Sequence, residues 1–161
     1  MAAEQYGVSG TGAIITIMRR HGAFGGLSFR VSLAPGSSSL VFRAAGSVVA
    51  GSGGRLYRIG AWLRSAAPGM NVCLRIQEVS PRDPLTAVRT SESCFAPTTD
   101  WKHFLLYRRT LARGNRLVFS IYSFGAVSGD SFDIDNFRVA RRVKDGWKRV
   151  DAAFGGASEL H

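Results

Sequence analysis

Trp62, Arg75, Gln77 and Tyr122 occupy the outward positions of three alternating segments. In Leu56–Arg64, Tyr57, Ile59, Ala61 and Leu63 read as one apolar face, which leaves Arg58, Trp62 and Arg64 on the other. In Asn71–Val79, Val72, Leu74 and Ile76 point inward and Cys73, Arg75 and Gln77 outward. In Arg116–Ser123, Leu117, Phe119 and Ile121 share a face, leaving Ser120 and Tyr122 outside. Brought together on one sheet, two aromatic rings and two planar polar groups would suit one chemistry. The rings stack on the apolar face of a pyranose, and the polar groups hydrogen-bond to its hydroxyls. The competing reading is structural: Trp62 covered by the N-terminal segment, Tyr122 a packed edge aromatic, and Arg75 and Gln77 a solvated sheet face.

Catalytic constellations are poorly supported. His21, His103 and His161 have no metal-ligand spacing, and no Gly-x-Ser-x-Gly elbow occurs. Asp133 and Asp135 fall on one face of the last strand, where edge or loop contacts explain them better than paired acid-base work. The glycine-rich stretches at Gly25-Gly26-Leu27-Ser28 and Gly51-Ser52-Gly53-Gly54 do not open helices, so a phosphate cradle fails on context. The chain therefore reads as non-catalytic, with no cofactor required.

Cys73 and Cys94 are the two cysteines, and they flank the turn sequence Pro81-Arg82-Asp83-Pro84. A hairpin folded about residues 83 and 84 pairs positions whose numbers add to 167, as these two do. Directly opposed Cβ atoms lie about 4.5–5.5 Å apart, close to disulfide range. A disulfide favours an extracytoplasmic location, secreted or cell-surface; two reduced, half-buried thiols are the alternative.

The elements that must position these groups are strands. Nine extended segments are predicted: Ala13–Met18, Leu27–Leu33, Ser39–Ala45, Leu56–Arg64, Asn71–Val79, Ala87–Phe95, Lys102–Thr110, Arg116–Ser123 and Ser131–Val139. Gly, Pro, Ser and Asp separate them and no amphipathic helix intervenes, so the fold class is all-β, an antiparallel sandwich of about nine strands. The stretch Asn115–Val139 reads as two strands folded into a closing hairpin around Phe124–Asp130. In its second strand Phe132, Ile134 and Asn136 share one face and Asp133, Asp135 and Phe137 the other. Residues 1–12 read as a flexible lead-in, 13–140 as the sandwich domain, and 141–161 as an appended segment, packing Trp147 and Phe154 on the body, or a linker.

At 161 residues the chain is large enough for one self-sufficient core. It has no apolar run long enough to span a membrane, and its first residues show no signal peptide. A net charge of +10 favours anionic partners. The basic residues are dispersed, however, at Arg19-Arg20, Arg55/Arg58/Arg64, Arg108-Arg109, Arg113/Arg116 and Arg141–Arg149. A scattered basic surface is a weak cue to a partner unless folding clusters it.

Four motifs in order resemble the jelly-roll carbohydrate-binding modules attached to glycoside hydrolases, in particular those that bind xylan and β-glucan. They are Gly25–Val31 (GGLSFRV), Leu56–Arg64 (LYRIGAWLR), Thr99–Phe104 (TDWKHF) and Phe132–Val139 (FDIDNFRV). The resemblance implies a jelly roll of galactose-binding-like type. It further implies non-catalytic binding of a poly- or oligosaccharide on a concave sheet face, with a catalytic domain as an attached partner; the outward residues read from alternation would supply the contacts, Trp62 and Tyr122 by stacking and Arg75 and Gln77 by hydrogen bonds. Asp135 matches the family's last-strand aspartate, which helps ligate a structural calcium ion. The family's Asn-Gly-x-Phe-Glu-like opening is absent, and a carboxylate capping a loop or pairing with an arginine is the other reading of Asp135. The rival function is a structural or assembly jelly roll, virion or cell-surface, whose basic surface contacts nucleic acid or an acidic partner. Against it, residues 1–18 contain no Lys or Arg. A sandwich that only packs beside a catalytic partner is a third reading.

Overall fold

A computed structural model describes residues 8–44, 48–49, 53–66 and 69–150. In chain order the strands are β1 (Val8–Thr11), β2 (Ala13–Met18), β3 (Ser28–Leu33), β4 (Ser39–Ala44), β5 (Val48–Val49) and β6 (Leu56–Ser65). There follow β7 (Val72–Ser80), β8 (Asp83–Phe95), β9 (Lys102–Arg109), β10 (Arg116–Phe124), β11 (Ser131–Val143) and β12 (Gly146–Arg149). No helix occurs among the described residues. All pairings are antiparallel. The first sheet runs β1-β4-β10-β7-β8 with β5 on β10, and the second runs β2-β3-β11-β6-β9 with β12 on β11. The fold is an all-β jelly-roll sandwich.

The nine expected strands all form, and β1, β5 and β12 add to them. The lead-in expected at 1–12 contains β1, which pairs with β4. The last expected strand continues past Val139 to Val143 and turns back as β12. Phe154 lies outside the described residues.

Alternation sorts the core as expected. Tyr57, Ile59, Ala61 and Leu63 of β6, Val72, Leu74 and Ile76 of β7, and Leu117, Phe119 and Ile121 of β10 are all buried between the sheets. Two readings of the Asn115–Val139 stretch are corrected. Its halves are not a hairpin: β10 lies between β4 and β7 in the first sheet, while β11 lies between β3 and β6 in the second. The Gly125–Asp130 loop therefore crosses from one sheet to the other. Secondly, Phe137 does not share a face with Asp133 and Asp135. The register of β11 on β6 slips between Asp135 and Arg138, and Asn136 takes a φ of 51°. Asn tolerates this left-handed conformation better than most side chains. The extra residue of the bulge shifts the alternation, so Val139 is buried and Phe137 packs edge-on against Phe42 at 5.8 Å.

The β7–β8 hairpin obeys the predicted register over most of its length. Val72↔Phe95 through Glu78↔Arg89 are directly opposed, and Cys73 faces Cys94 in a disulfide. Its turn is tighter than expected, with Ser80 opposite Asp83, and irregularities on either side of Val79 absorb the difference.

One carboxylate is buried outright. Glu78 is fully covered and follows Val72, Leu74 and Ile76 in the inward phase of β7. It accepts hydrogen bonds from Leu111 N at 2.8 Å, Ala112 N at 3.3 Å, Asn115 Nδ2 at 2.8 Å and Arg108 Nη2 at 3.2 Å. The strand pair thus holds the β9–β10 connection from below.

Candidate functional site

Three of the four predicted site residues come together. On the outward face of the first sheet, Arg75 and Gln77 of β7 lie opposite Ser120 and Val118 of β10, and Tyr122 lies opposite Cys73. On the other side of β7, Arg75 faces Glu92 and Gln77 faces Thr90 of β8. Trp62 is the exception. Its strand, β6, belongs to the second sheet, so the single four-residue patch does not form. Alternation decides which way a side chain points from its strand, and strand order decides which sheet it decorates; only the first is local.

Tyr122 is 3% exposed. The Arg75 guanidinium carbon lies 4.0 Å over its ring, and Arg75 Nε donates to Glu92 Oε2 at 2.8 Å. Burial and the nearby Glu92 carboxylate push the Tyr122 phenol up, while Arg75 opposes them. Burial alone would raise the Glu92 carboxyl, but the Tyr122 hydroxyl and Arg75 hold it below the usual range. One ring face of Tyr122 is therefore occupied by a cation, and the exposed ring of this surface is a neighbour's. Phe124, two residues further along the same outward face, is 65% exposed with its ring 4.7 Å from Tyr122. The sequence signal was present, because the alternation that points Ser120 and Tyr122 away from the core points Phe124 the same way; packing then buries the first two and leaves Phe124 exposed. Phe124 also walls an open cleft of about 260 Å³ with Asn71, Val127 and Asp130. Gln77 is half-buried, and its side-chain amide has no hydrogen-bond partner among the described residues.

On the outward face of the second sheet, Asp133 is gripped by two arginines. Arg30 Nε reaches Oδ1 at 2.7 Å and Arg64 Nε reaches Oδ2 at 2.9 Å. Burial pushes this carboxyl up, and the arginines more than reverse it, holding it below the ordinary range. Asp135 Oδ2 accepts from Ala23 N at 2.7 Å and crowds Gly22, where a Cβ would lie 2.7 Å from the same oxygen. This geometry is that of a loop cap on the β2–β3 connection. Calcium asks for six to eight oxygens, and no group of three or more His, Cys, Asp or Glu side chains containing Asp135 gathers among the described residues. The one such group, Cys73, Glu92 and Cys94, holds the disulfide sulfurs and no free thiolate.

A pH prediction arises from these carboxylates. Glu78, Glu92 and Asp133 all have folded pKa values below their ordinary ones. For Glu78, as for the others, burial is the largest single influence and opposes the shift; Asn115, the two backbone N–H groups and Arg108 overcome it. A lowered carboxyl stabilises the fold above its unfolded pKa, and that stability is lost as pH falls through the folded value. Thermal unfolding should thus be nearly flat from about pH 5 to 7 and fall steeply below about pH 4. A melting temperature that held steady to pH 3 would contradict the carboxylate networks.

No protein-family model matches the chain, and no curated protein does. Solved structures match its fold. An enzymatically active domain of bacteriophage CBA120 tailspike protein 4 aligns with a TM-score of 0.64 at 14% identity, over 91% of this chain and 20% of that one. The CBM22-1 and GH10 modules of Clostridium thermocellum xylanase 10B, solved with xylohexaose, give 0.63 at 15% identity over 86% and 26%. TmCBM61, solved with β-1,4-galactotriose, gives 0.57 at 18% identity over 84% and 87%. The chain thus spans a fifth to a quarter of the first two proteins but most of a free-standing module. Most of the neighbours are carbohydrate-binding modules, and the sandwich described above is of their type.

Proposed function

We propose that this domain is a non-catalytic, extracytoplasmic carbohydrate-binding module that holds a poly- or oligosaccharide on the outward face of its first sheet. The observation that carries the reading is the Glu92–Arg75–Tyr122 network, which fixes planar polar groups in the middle of the sheet beside the exposed ring of Phe124. Phe124 offers the stacking platform. Gln77 and the remaining N–H groups of Arg75 offer hydrogen bonds, and Tyr122 serves as the support beneath Arg75. Rigid, prepaid polar geometry favours affinity because little side-chain entropy is lost on binding. The sandwich type supports the reading, since similar modules were solved with xylohexaose and β-1,4-galactotriose. The disulfide supports an oxidising location.

Screening the protein and its Phe124→Ala variant on a neutral glycan array, followed by calorimetry on the best ligand, tests this. Loss of one stacking ring should weaken binding about tenfold, or 1.4 kcal/mol, with an unchanged melting temperature because the side chain is exposed. Undiminished affinity would remove this face from consideration.

A further inference from the structure

The second sheet carries a different surface. Trp62 stacks on His103 at 5.3 Å and 19°, and the edge of its partner Phe24, itself 69% exposed, stands 5.2 Å away at 82°. Four residues along β6, about 13 Å at strand rise, the Arg58 guanidinium lies 4.3 Å over Trp147. Arg142 approaches the same ring at 5.7 Å, and the half-exposed Tyr107 stands 5.8 Å from it. Between the two ring clusters lie Gly60 and Leu105, with Arg138 opposite Gly60 on β11. Arginines that were dispersed along the sequence are here clustered by the sheet.

Charge on this face is unbalanced. Asp133 is consumed by Arg30 and Arg64, and Asp135 is capping Ala23. Arg58, Arg138 and Arg142 consequently have no carboxylate partner among the described residues. Burial, then Arg58 and Arg138, push the His103 pKa down. A guanidinium held over an aromatic ring spends no N–H group on a carboxylate there, so its fork of donors can take a planar, bidentate anion.

We propose that this outward face of the second sheet is a separate binding site for a carboxylate-bearing polysaccharide, a polyuronate. Arg58 and Arg142 take its carboxylates at one end, and Trp62 with Phe24 contacts a sugar at the other. An extended chain touching at two points suits ring clusters separated by a ringless gap. Single-stranded nucleic acid suits it less, since successive bases ask for successive rings.

Affinity electrophoresis and calorimetry with polygalacturonate, against neutral xylan and oligo-dT, test the assignment. The wild-type protein should bind polygalacturonate more tightly than oligo-dT, and rising salt should weaken that binding. The Arg58→Ala/Arg142→Ala variant should lose at least tenfold, and so should Trp62→Ala, which a merely electrostatic attraction would not notice. Phe124→Ala should leave polygalacturonate binding unchanged, so failure of this site and failure of the first-sheet site are separable. Absence of polygalacturonate binding, preference for oligo-dT, or indifference to either of the two second-sheet variants at unchanged melting temperature would each overturn the proposal.

Discussion

Replacing Glu78 with Ala should cost about 3–5 kcal/mol of folding stability, the range found when one partner of a buried ion pair is removed. Arg108 is 4% exposed, so it cannot recover its lost partner from water without opening the β7–β9 contact. Leu111 N, Ala112 N and Asn115 Nδ2 lose their acceptor at the same time. Domains of this size have total stabilities of about 5–15 kcal/mol, so the variant should be marginal at 37 °C. Glu78→Gln, which keeps an acceptor oxygen but not the charge, should lose less. The double variant Glu78→Leu/Arg108→Leu separates charge from connectivity: with no orphaned guanidinium it should be more stable than Glu78→Ala, yet still weaker than wild type because the turn N–H groups remain unmet. Urea unfolding of the three variants reads the order directly. A loss under about 1 kcal/mol for Glu78→Ala would mean that water replaces the carboxylate and that the buried hub has little energetic weight.

Glu78 also shows what alternation reveals and what it hides. The run Val72, Leu74, Ile76 places Glu78 in the inward phase, and on β9 Phe104 and Leu106 place Arg108 there too. Two opposite charges in core phase on different strands forecast each other, and that signal is legible in the sequence. The bulge at Asn136 is similar. Apolar residues at 132 and 134 and again at 137 and 139 can share one core only if an extra residue shifts the phase between them. Trp62 is a different case. Its outward direction followed from its own segment, whereas its separation from Arg75 and Tyr122 depends on β6 joining β9 and β11 while β7 joins β8 and β10. That order is set by which loops cross the sandwich, and no period of the sequence reports it. For the same reason Asn115–Val139 looked like a hairpin. A short Gly/Ser loop between two alternating strands serves a crossing as well as a reversal. The short strands β1, β5 and β12 were missed because two to four residues are too few to display a period.

Breaking the Cys73–Cys94 bridge is the second large effect. The cysteines are 21 residues apart, and closing a loop of that length in the unfolded chain is worth about 3 kcal/mol, on the order of 10 °C in melting temperature for a domain of this size. Cys94 is exposed, so reductant should reach the bond in the folded protein, and Cys73→Ala/Cys94→Ala should melt like the reduced wild type. The consequence for binding should be one-sided. The bridge ties the edge strand β8 to β7 two residues from the Arg75–Glu92 pair. Loosening that edge lets Glu92 drift, and Arg75 then loses the partner that holds it over Tyr122. Affinity on the first sheet should therefore fall in the reduced protein well below its melting temperature. The Trp62 and Arg58 clusters belong to the other sheet and should not respond. Equal melting temperatures with and without the bridge would place the stability of the β7–β8 hairpin in its ladder and in Glu78, and a first-sheet affinity indifferent to reductant would detach Arg75 from glycan recognition.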